Sequence, residues 1–162
     1  LYSYNNRGQL TKVTSADPDG AGSLARLTVS YEYDAIGRLS AMVDQRGART
    51  EYVYDALDRV VEAWTYDPTS SASAGWLSLT TFEYDADGNT EVVTRYDVTS
   101  VSRSTLNSST LATWTASNST KLRPTTYEYD EMGRVVGMTY PDDSTVTYEL
   151  DGAGRLTKFT DQ

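Results

Sequence analysis

Tyr31-Glu32-Tyr33-Asp34-Ala35-Ile36-Gly37-Arg38-Leu39 sets two aromatic rings two residues apart, then an acid, a turn pattern and a basic residue. Rings at i and i+2 share one face of an extended strand. An Asp opening a turn, with Gly three residues on in the left-handed region, is a common hairpin connection. The pattern recurs as YSYNNRGQL from Tyr2, YVYDALDRV from Tyr52, FEYDADGNT from Phe82, YEYDEMGRV from Tyr127 and YELDGAGRL from Tyr148. Such internal repetition says that one supersecondary unit is stacked on itself. The starts at 31 and 52, and again at 127 and 148, lie 21 residues apart, which we take as the bare unit. Insertions at 15–24, 67–78 and 97–124 lengthen the other intervals. The reading predicts an all-β fold over residues 1–162, a single repeat array of antiparallel β-hairpins in a continuous twisted, spiralling sheet.

Beyond each turn the apolar residues stand three apart: Leu10 and Val13, Leu39 and Met42, Val60 and Ala63, Val135 and Met138, Leu156 and Phe159. A half-buried strand wants a spacing of two. The Thr and β-branched content still favours strand over helix, which leaves a bulge or the use of both faces. A second turn, at Gln45-Arg46-Gly47 and at Pro141-Asp142-Asp143, returns the chain to the next motif. In the third copy Asp58 stands where Gly is expected, and Asp tolerates positive φ better than most residues. The 97–124 insertion carries Leu106, Leu111 and Trp114 and is expected to hold an extra hairpin.

Composition narrows the function classes. Hydrophobic content is 38% and Tyr contributes 13 residues, a composition for a wide, thin sheet rather than a deep core. The formal net charge of −9 argues against nucleic acid or an anionic membrane surface as partner. No apolar run approaches membrane-spanning length. The chain has no His and no Cys, which removes the usual general base, the commonest metal ligand and the thiol nucleophile. Of the 14 basic residues 11 are Arg. Arg38, Arg59, Arg134 and Arg155 share one motif position, where a planar guanidinium can fork onto a carboxylate and stack on a Tyr ring.

These residues carry a resemblance. Y-x-Y-D-x-x-G-R-L at a minimum period of about 21 residues resembles the YD or RHS repeat of bacterial RHS polymorphic toxins, wall-associated proteins, insecticidal toxin-complex components and animal teneurins. The resemblance spans essentially the whole chain. It implies hairpins aligned side by side in a spiralling sheet that closes into a hollow shell around a C-terminal toxin or other polypeptide. Asn5 in copy one, Asn89-Thr90 in copy four and Leu150 in copy six depart from the motif.

On this resemblance the motif residues are structural: Tyr31, Tyr33, Asp34, Gly37 and Arg38; Tyr52, Tyr54, Asp55 and Arg59; Phe82, Tyr84, Asp85 and Gly88; Tyr127, Tyr129, Asp130, Gly133 and Arg134; Tyr148, Asp151, Gly154 and Arg155. The rings form a cross-strand ladder, and each Asp–Arg pair is a turn cap rather than a catalytic dyad. Asp85-Ala86-Asp87-Gly88-Asn89 and Asp17-Pro18-Asp19-Gly20 have turn chemistry and lack the distal ligands of a calcium loop. The sequons at Asn107 and Asn118 matter only in a eukaryotic secretory pathway. No enzyme, metal or cofactor is expected.

The function expected is a structural segment of the encapsulating wall of a large secreted or surface-displayed toxin or adhesin, bacterial in origin. Its partners are the remainder of the parent shell and the polypeptide enclosed. The chain opens inside a motif and is expected to be a fragment of a longer array. Open strand edges predict self-association or an engaged partner chain. The alternative is a carbohydrate- or receptor-binding module using exposed aromatics, with Trp76 and Trp114 in the insertions as the candidate ligand contacts.

Overall fold

The computed structural model describes residues 1–20, 25–68, 76–98, 110–119 and 122–162, and for Trp76 and Leu77 the backbone alone. The sequon at Asn107 and the insertion residue Leu106 lie outside the described residues, as does Thr120 of the second sequon.

One local instruction builds most of the fold. In Asp34–Arg38 the backbone N–H of Asp34 donates to the Arg38 carbonyl (2.9 Å) and that of Gly37 to the Asp34 carbonyl (3.1 Å). Closing so tight a loop needs positive φ at its fourth residue, and Gly37 sits at 101°. Asp58 holds the same place at 61°, as its sequence position suggests. Between motifs the chain turns the same way. Gly47 N–H reaches the Asp44 carbonyl (3.0 Å) and Asp143 N–H the Tyr140 carbonyl (3.0 Å), with Asp143 at φ 65°.

These turns divide the chain into short antiparallel strands, each paired within its unit with its neighbour in sequence. The first compact unit, Leu1–Ser78 with Val98–Arg103, contains β1 (Tyr2–Tyr4), β2 (Leu10–Thr14), β3 (Thr28–Tyr33), β4 (Leu39–Asp44), β5 (Arg49–Tyr54) and β6 (Val60–Tyr66). β7 (Trp76–Tyr84) enters the second unit at Leu79. That unit, Leu79–Asp97 with Ser104–Gln162, continues with β8 (Thr90–Tyr96), β9 (Leu122–Tyr129), β10 (Val135–Thr139), β11 (Thr145–Leu150) and β12 (Leu156–Asp161). The all-β, antiparallel expectation holds.

The choice between a bulge and two working faces resolves as a bulge, at one fixed place. Tyr33 opposes Leu39 and Glu32 opposes Ala41, so Ser40 has no partner. Likewise Tyr54 opposes Val60 and Val53 opposes Glu62, passing over Val61. The shift recurs next to Tyr4, Tyr84, Leu150 and, in β10, between Val135 and Gly137. An extra residue returns the side chain three positions on to the face it left. Leu39 and Met42 thus both stand on the face of Tyr33 and Tyr31, their cross-strand partners. The threefold spacing in the sequence is the signature of the bulge.

Two expectations change. Each motif ring faces mainly aliphatic partners, as in Tyr127 against Met138 and Tyr52 against Ala63, so the stripe is a Tyr–aliphatic layer rather than an aromatic ladder. The ring pair Tyr148–Phe159, with centroids 5.8 Å apart, is an aromatic instance. Second, the described part of the 97–124 insertion contains no extra hairpin but the helix α1 (Leu111–Ser117). Leu111 and Trp114 are three apart with Ala112 and Ala116 between and after them, a helical spacing that the Ser/Thr-rich surroundings disguised. The strands also cut into the insertions, since β7 starts at Trp76 and β9 at Leu122.

The deepest burial lies on the face opposite the motif rings. Ala41, Glu62 and Trp64 are buried there in the first unit, and Leu79, Thr81, Thr94 and Tyr96 in the second. Trp64 Nε1 donates to the Glu62 carboxylate (2.8 Å), giving a buried acid a buried donor. Beside them Arg49 forks onto Glu32 (2.8 and 2.7 Å) and turns its Nε to Glu51 (2.8 Å). In the second unit Trp114 of α1 meets Tyr96 edge-on, with centroids 6.1 Å apart.

Candidate functional site

The motif residues converge on the turns, and the turns are joined repeat to repeat. Asp34 Oδ1 accepts the backbone N–H groups of Ile36 (3.1 Å), Gly37 (2.8 Å) and Arg38 (2.9 Å), while Oδ2 accepts Arg38 Nε (2.7 Å). Asp55 does the same with Leu57, Arg59 and Arg59 Nε. Asp130 repeats it with Met132 and Arg134, and Asp151 with Ala153 and Arg155. Asn5 keeps the acceptor role and turns its amide N–H to Gln9 Oε1 (2.8 Å). In copy four Asn89 donates to Asp85 Oδ2 (2.9 Å) where Arg would have donated. The departures from the motif preserve the turn.

The guanidinium has a second task. Arg38 Nη1 reaches the carbonyl of Asp55 (3.5 Å) and the carboxylate of Asp58 (2.6 Å) in the next turn, and the group lies 4.5 Å from the centre of the Tyr54 ring. Arg134 Nη1 reaches the Asp151 carbonyl (3.3 Å). In the first joint Arg7 and Gln9 reach the Ala35 and Gly37 carbonyls (3.1 and 2.9 Å). One fork binds its own turn and reaches the next, a geometry Lys does not offer.

The tyrosine hydroxyls form a parallel set of ties that sequence reasoning missed. Tyr33 Oη donates to the Leu10 carbonyl (2.7 Å), Tyr54 Oη to Leu39 (2.7 Å) and Tyr129 Oη to Thr90 (2.8 Å). Each acceptor is the residue immediately before the bulge of the preceding motif. A bulge disrupts the ladder locally, and the hydroxyl supplies a donor there. The sequence signal was present: the second aromatic is Tyr in five of six copies, never Phe. Tyr54→Phe removes this one bond with little change of shape. We expect a loss of about 0.5–1.5 kcal/mol, read as a lower urea midpoint at unchanged slope.

The electrostatics follow from the geometry. The hydrogen bond from Arg38 holds the Asp34 carboxyl below the usual carboxylate range, and the Arg134 bond does so for Asp130. Backbone N–H donation from Arg59 and Arg155 leads the same lowering at Asp55 and Asp151, and the Asn89 side chain leads it at Asp85. Burial pushes the Tyr54 and Tyr129 hydroxyls up. Because the folded carboxyls titrate below their unfolded counterparts, their stabilisation is complete above about pH 5. It fades as pH falls through about 4 and into the lowered values. The urea midpoint is therefore expected to stay flat between pH 5 and 8 and to drop at pH 3. A midpoint that rises on acidification would contradict the turn-cap assignment.

Among the described residues no group of three or more His, Cys, Asp or Glu is arranged to hold a metal ion, and no helix is long and apolar enough to cross a membrane. The Asp17 carboxylate pairs with Arg26 (3.2 Å). The joint between the fourth and fifth motifs differs in charge. A groove of about 430 Å³ is lined there by Asp85, Asp87, Glu91, Glu128 and Asp130, and Asn89 stands in the lane that Arg38 and Arg134 fill elsewhere. Asn89→Arg should fill that lane and raise the melting temperature slightly at low salt, with the gain lost in high salt. Of the candidate ligand contacts, Trp114 is half-buried against Tyr96, and the Trp76 side chain lies outside the described residues.

Comparison with known proteins agrees with this geometry. The RHS repeat family model matches residues 33–68 and 110–145. No curated protein matches the chain. Among solved structures, a Tc holotoxin pore of Photorhabdus luminescens is similar over 100% of this chain and 9% of its own, with 19% identity and a TM-score of 0.58. The crystal structure of TcdB2-TccC3-TEV is similar over the same shares, 100% and 9%, with 14% identity and a TM-score of 0.51. At these identities the likeness is one of fold, and the chain spans about a tenth of each of those chains.

Proposed function

We propose that this chain, whose residues 33–68 and 110–145 match the RHS repeat family model, is a non-catalytic stretch of wall in a large secreted or surface-displayed bacterial protein, a toxin or adhesin, that encloses or presents another polypeptide. One observation carries this reading. The residues that make the motif recognisable spend their polar atoms on holding one repeat to the next. Asp34 caps its turn, Arg38 bridges to the following turn, and Tyr54 ties back to the preceding bulge. A catalytic or ligand-binding site needs some such groups turned toward a substrate. The fold likeness to two Tc toxin structures supports the same reading.

The test is protease protection in the longer protein that bears these repeats. The enclosed polypeptide should survive a broad-specificity protease until denaturant opens the wall, then be cut at once. Cleavage at the same rate before and after opening would overturn the proposal. Saturable binding of a glycan to the intact repeats, lost on changing Trp114, would support the binding-module alternative instead.

A further inference from the structure

We propose that Arg95 and Arg123 form a two-guanidinium clamp on the ring face of the second unit, for the phosphate monoester of a sugar whose ring lies against Tyr140 and Pro141. Both arginines stand outside the repeat motif. Strand register places them: Thr80 opposes Arg95 and Arg95 opposes Arg123, one lane across β7, β8 and β9. Two residues along, Phe82 opposes Val93 and Val93 opposes Thr125, so the lane shares the face of the motif rings. Both arginines are exposed. Like charges directly opposite on neighbouring strands, with Cβ atoms about 4.5–5.5 Å apart, destabilise a sheet.

Elsewhere the chain sets acids beside its arginines. Arg49 lies 2.7 Å from Glu32, Arg59 2.8 Å from Asp55 and Arg26 3.2 Å from Asp17. Arg95 ion-pairs with no acid among the described residues. Arg123 Nη1 donates to the Leu122 carbonyl (2.9 Å). A guanidinium carries five N–H donors, so Arg123 can hold its own contacts and still share an oxyanion with Arg95. A phosphate monoester carries a charge of about −1.5 to −2 at pH 7 and three acceptor oxygens, which matches two guanidiniums where one carboxylate would not. Arg123 also lines a groove of about 500 Å³ together with Tyr140, Pro141, Asp142 and Ser144. Tyr140 is 37% exposed, an aromatic ring with a polar tip beside the apolar proline. Asp142 Oδ1 accepts the Ser144 N–H (3.2 Å) and hydroxyl (2.6 Å), so the acid and the serine stand together as acceptors for sugar hydroxyls. An aromatic ledge, hydroxyl acceptors and a cationic pair together are the chemistry that a phosphorylated sugar requires.

The experiment titrates the 162-residue chain with inorganic phosphate, glucose-6-phosphate and glucose at constant ionic strength, read by calorimetry and by melting temperature. Glucose-6-phosphate should bind saturably, and inorganic phosphate about 2- to 10-fold more weakly, the worth of one hydrogen bond to the sugar. Glucose alone should give no measurable binding. Arg95→Gln should weaken both phosphates about 10- to 100-fold, the worth of a hydrogen bond to a charged group. Tyr140→Ala should cost the sugar's share alone, bringing glucose-6-phosphate down to inorganic phosphate. In phosphate-free, low-salt buffer Arg95→Gln should melt no lower than wild type, since it relieves the opposed charges. An Arg95→Gln chain that binds as wild type does, or that melts lower without ligand, overturns the proposal. A phosphate response that chloride reproduces overturns it too. Equal affinity for inorganic phosphate and glucose-6-phosphate overturns the sugar assignment. The site does not depend on what the wall encloses, so it and the wall reading fall separately.

Discussion

Trp64→Ala is expected to cost about 3–5 kcal/mol, enough to unfold much of the first unit at ambient temperature. Trp64 is 1% exposed and is among the largest fully buried side chains. Removing it takes away a full aromatic burial and also the Nε1–H that serves the buried Glu62 carboxylate. The two losses separate in Trp64→Phe, which keeps most of the ring but strands the acid, with an expected cost of about 1–3 kcal/mol. Glu62→Gln retains an acceptor oxygen for the same N–H and should fall within about 1 kcal/mol of wild type. Urea unfolding of the three variants checks the ordering. A Trp64→Ala chain as stable as wild type would mean that the face opposite the rings holds nothing together.

Gly37→Val carries the second largest effect, about 1–3 kcal/mol, from backbone strain at one turn. At φ 101° a β-branched residue is badly placed, and the new Cβ would meet Gln9 Nε2 of the preceding turn at 3.2 Å. The substitution thus strains its own turn and pushes against the tie from Gln9 to the Gly37 carbonyl. Asp58 provides the internal comparison, since it already occupies the equivalent place at φ 61°. Asp58→Gly should relieve that strain but lose the 2.6 Å contact with Arg38, so the two changes oppose one another. Melting temperatures of both variants, measured at low and high salt, separate strain from charge.

The repeat was fully legible in the sequence because its determinants are local. An aromatic pair, an acid and a Gly or Asp three residues on fix a strand and a turn without reference to anything distant. The bulge was half legible: the spacing of Leu39 and Met42 demanded something irregular, but only the pairing of Glu32 with Ala41 locates it at Ser40. The turn at Gln45-Arg46-Gly47 was legible too, and Asp44-Gln45-Arg46-Gly47 repeats the motif's own offset, with Asp44 Oδ1 accepting the Arg46 and Ala48 N–H groups. What stayed hidden depends on register between strands. No spacing says that Tyr54 meets the Leu39 carbonyl, or that Arg49 lies between Glu32 and Glu51, until β3, β4 and β5 are aligned. Trp64 gave no signal because a single Trp in a strand reads alike on either face until the bulge assigns one. α1 escaped for a compositional reason: Thr and Ser surround its two apolar contacts, and the helical spacing of Leu111 and Trp114 spans a single turn.

Charge at the joints follows the same logic. The lowered carboxyls are a consequence of turn capping, so their pH response reports fold rather than reaction. At the acidic groove beside Asn89 the lacing by Arg is interrupted.

The measurement that tests the central claim most directly is a cryo-electron microscopy map of the longer protein bearing these repeats, at a resolution that shows side chains. The account predicts a wall of stacked hairpins, each second Tyr hydroxyl on the carbonyl before the preceding bulge, with density for a separate polypeptide inside. A sheet solvated on both faces, with no enclosed density and the motif rings holding a ligand, would contradict it.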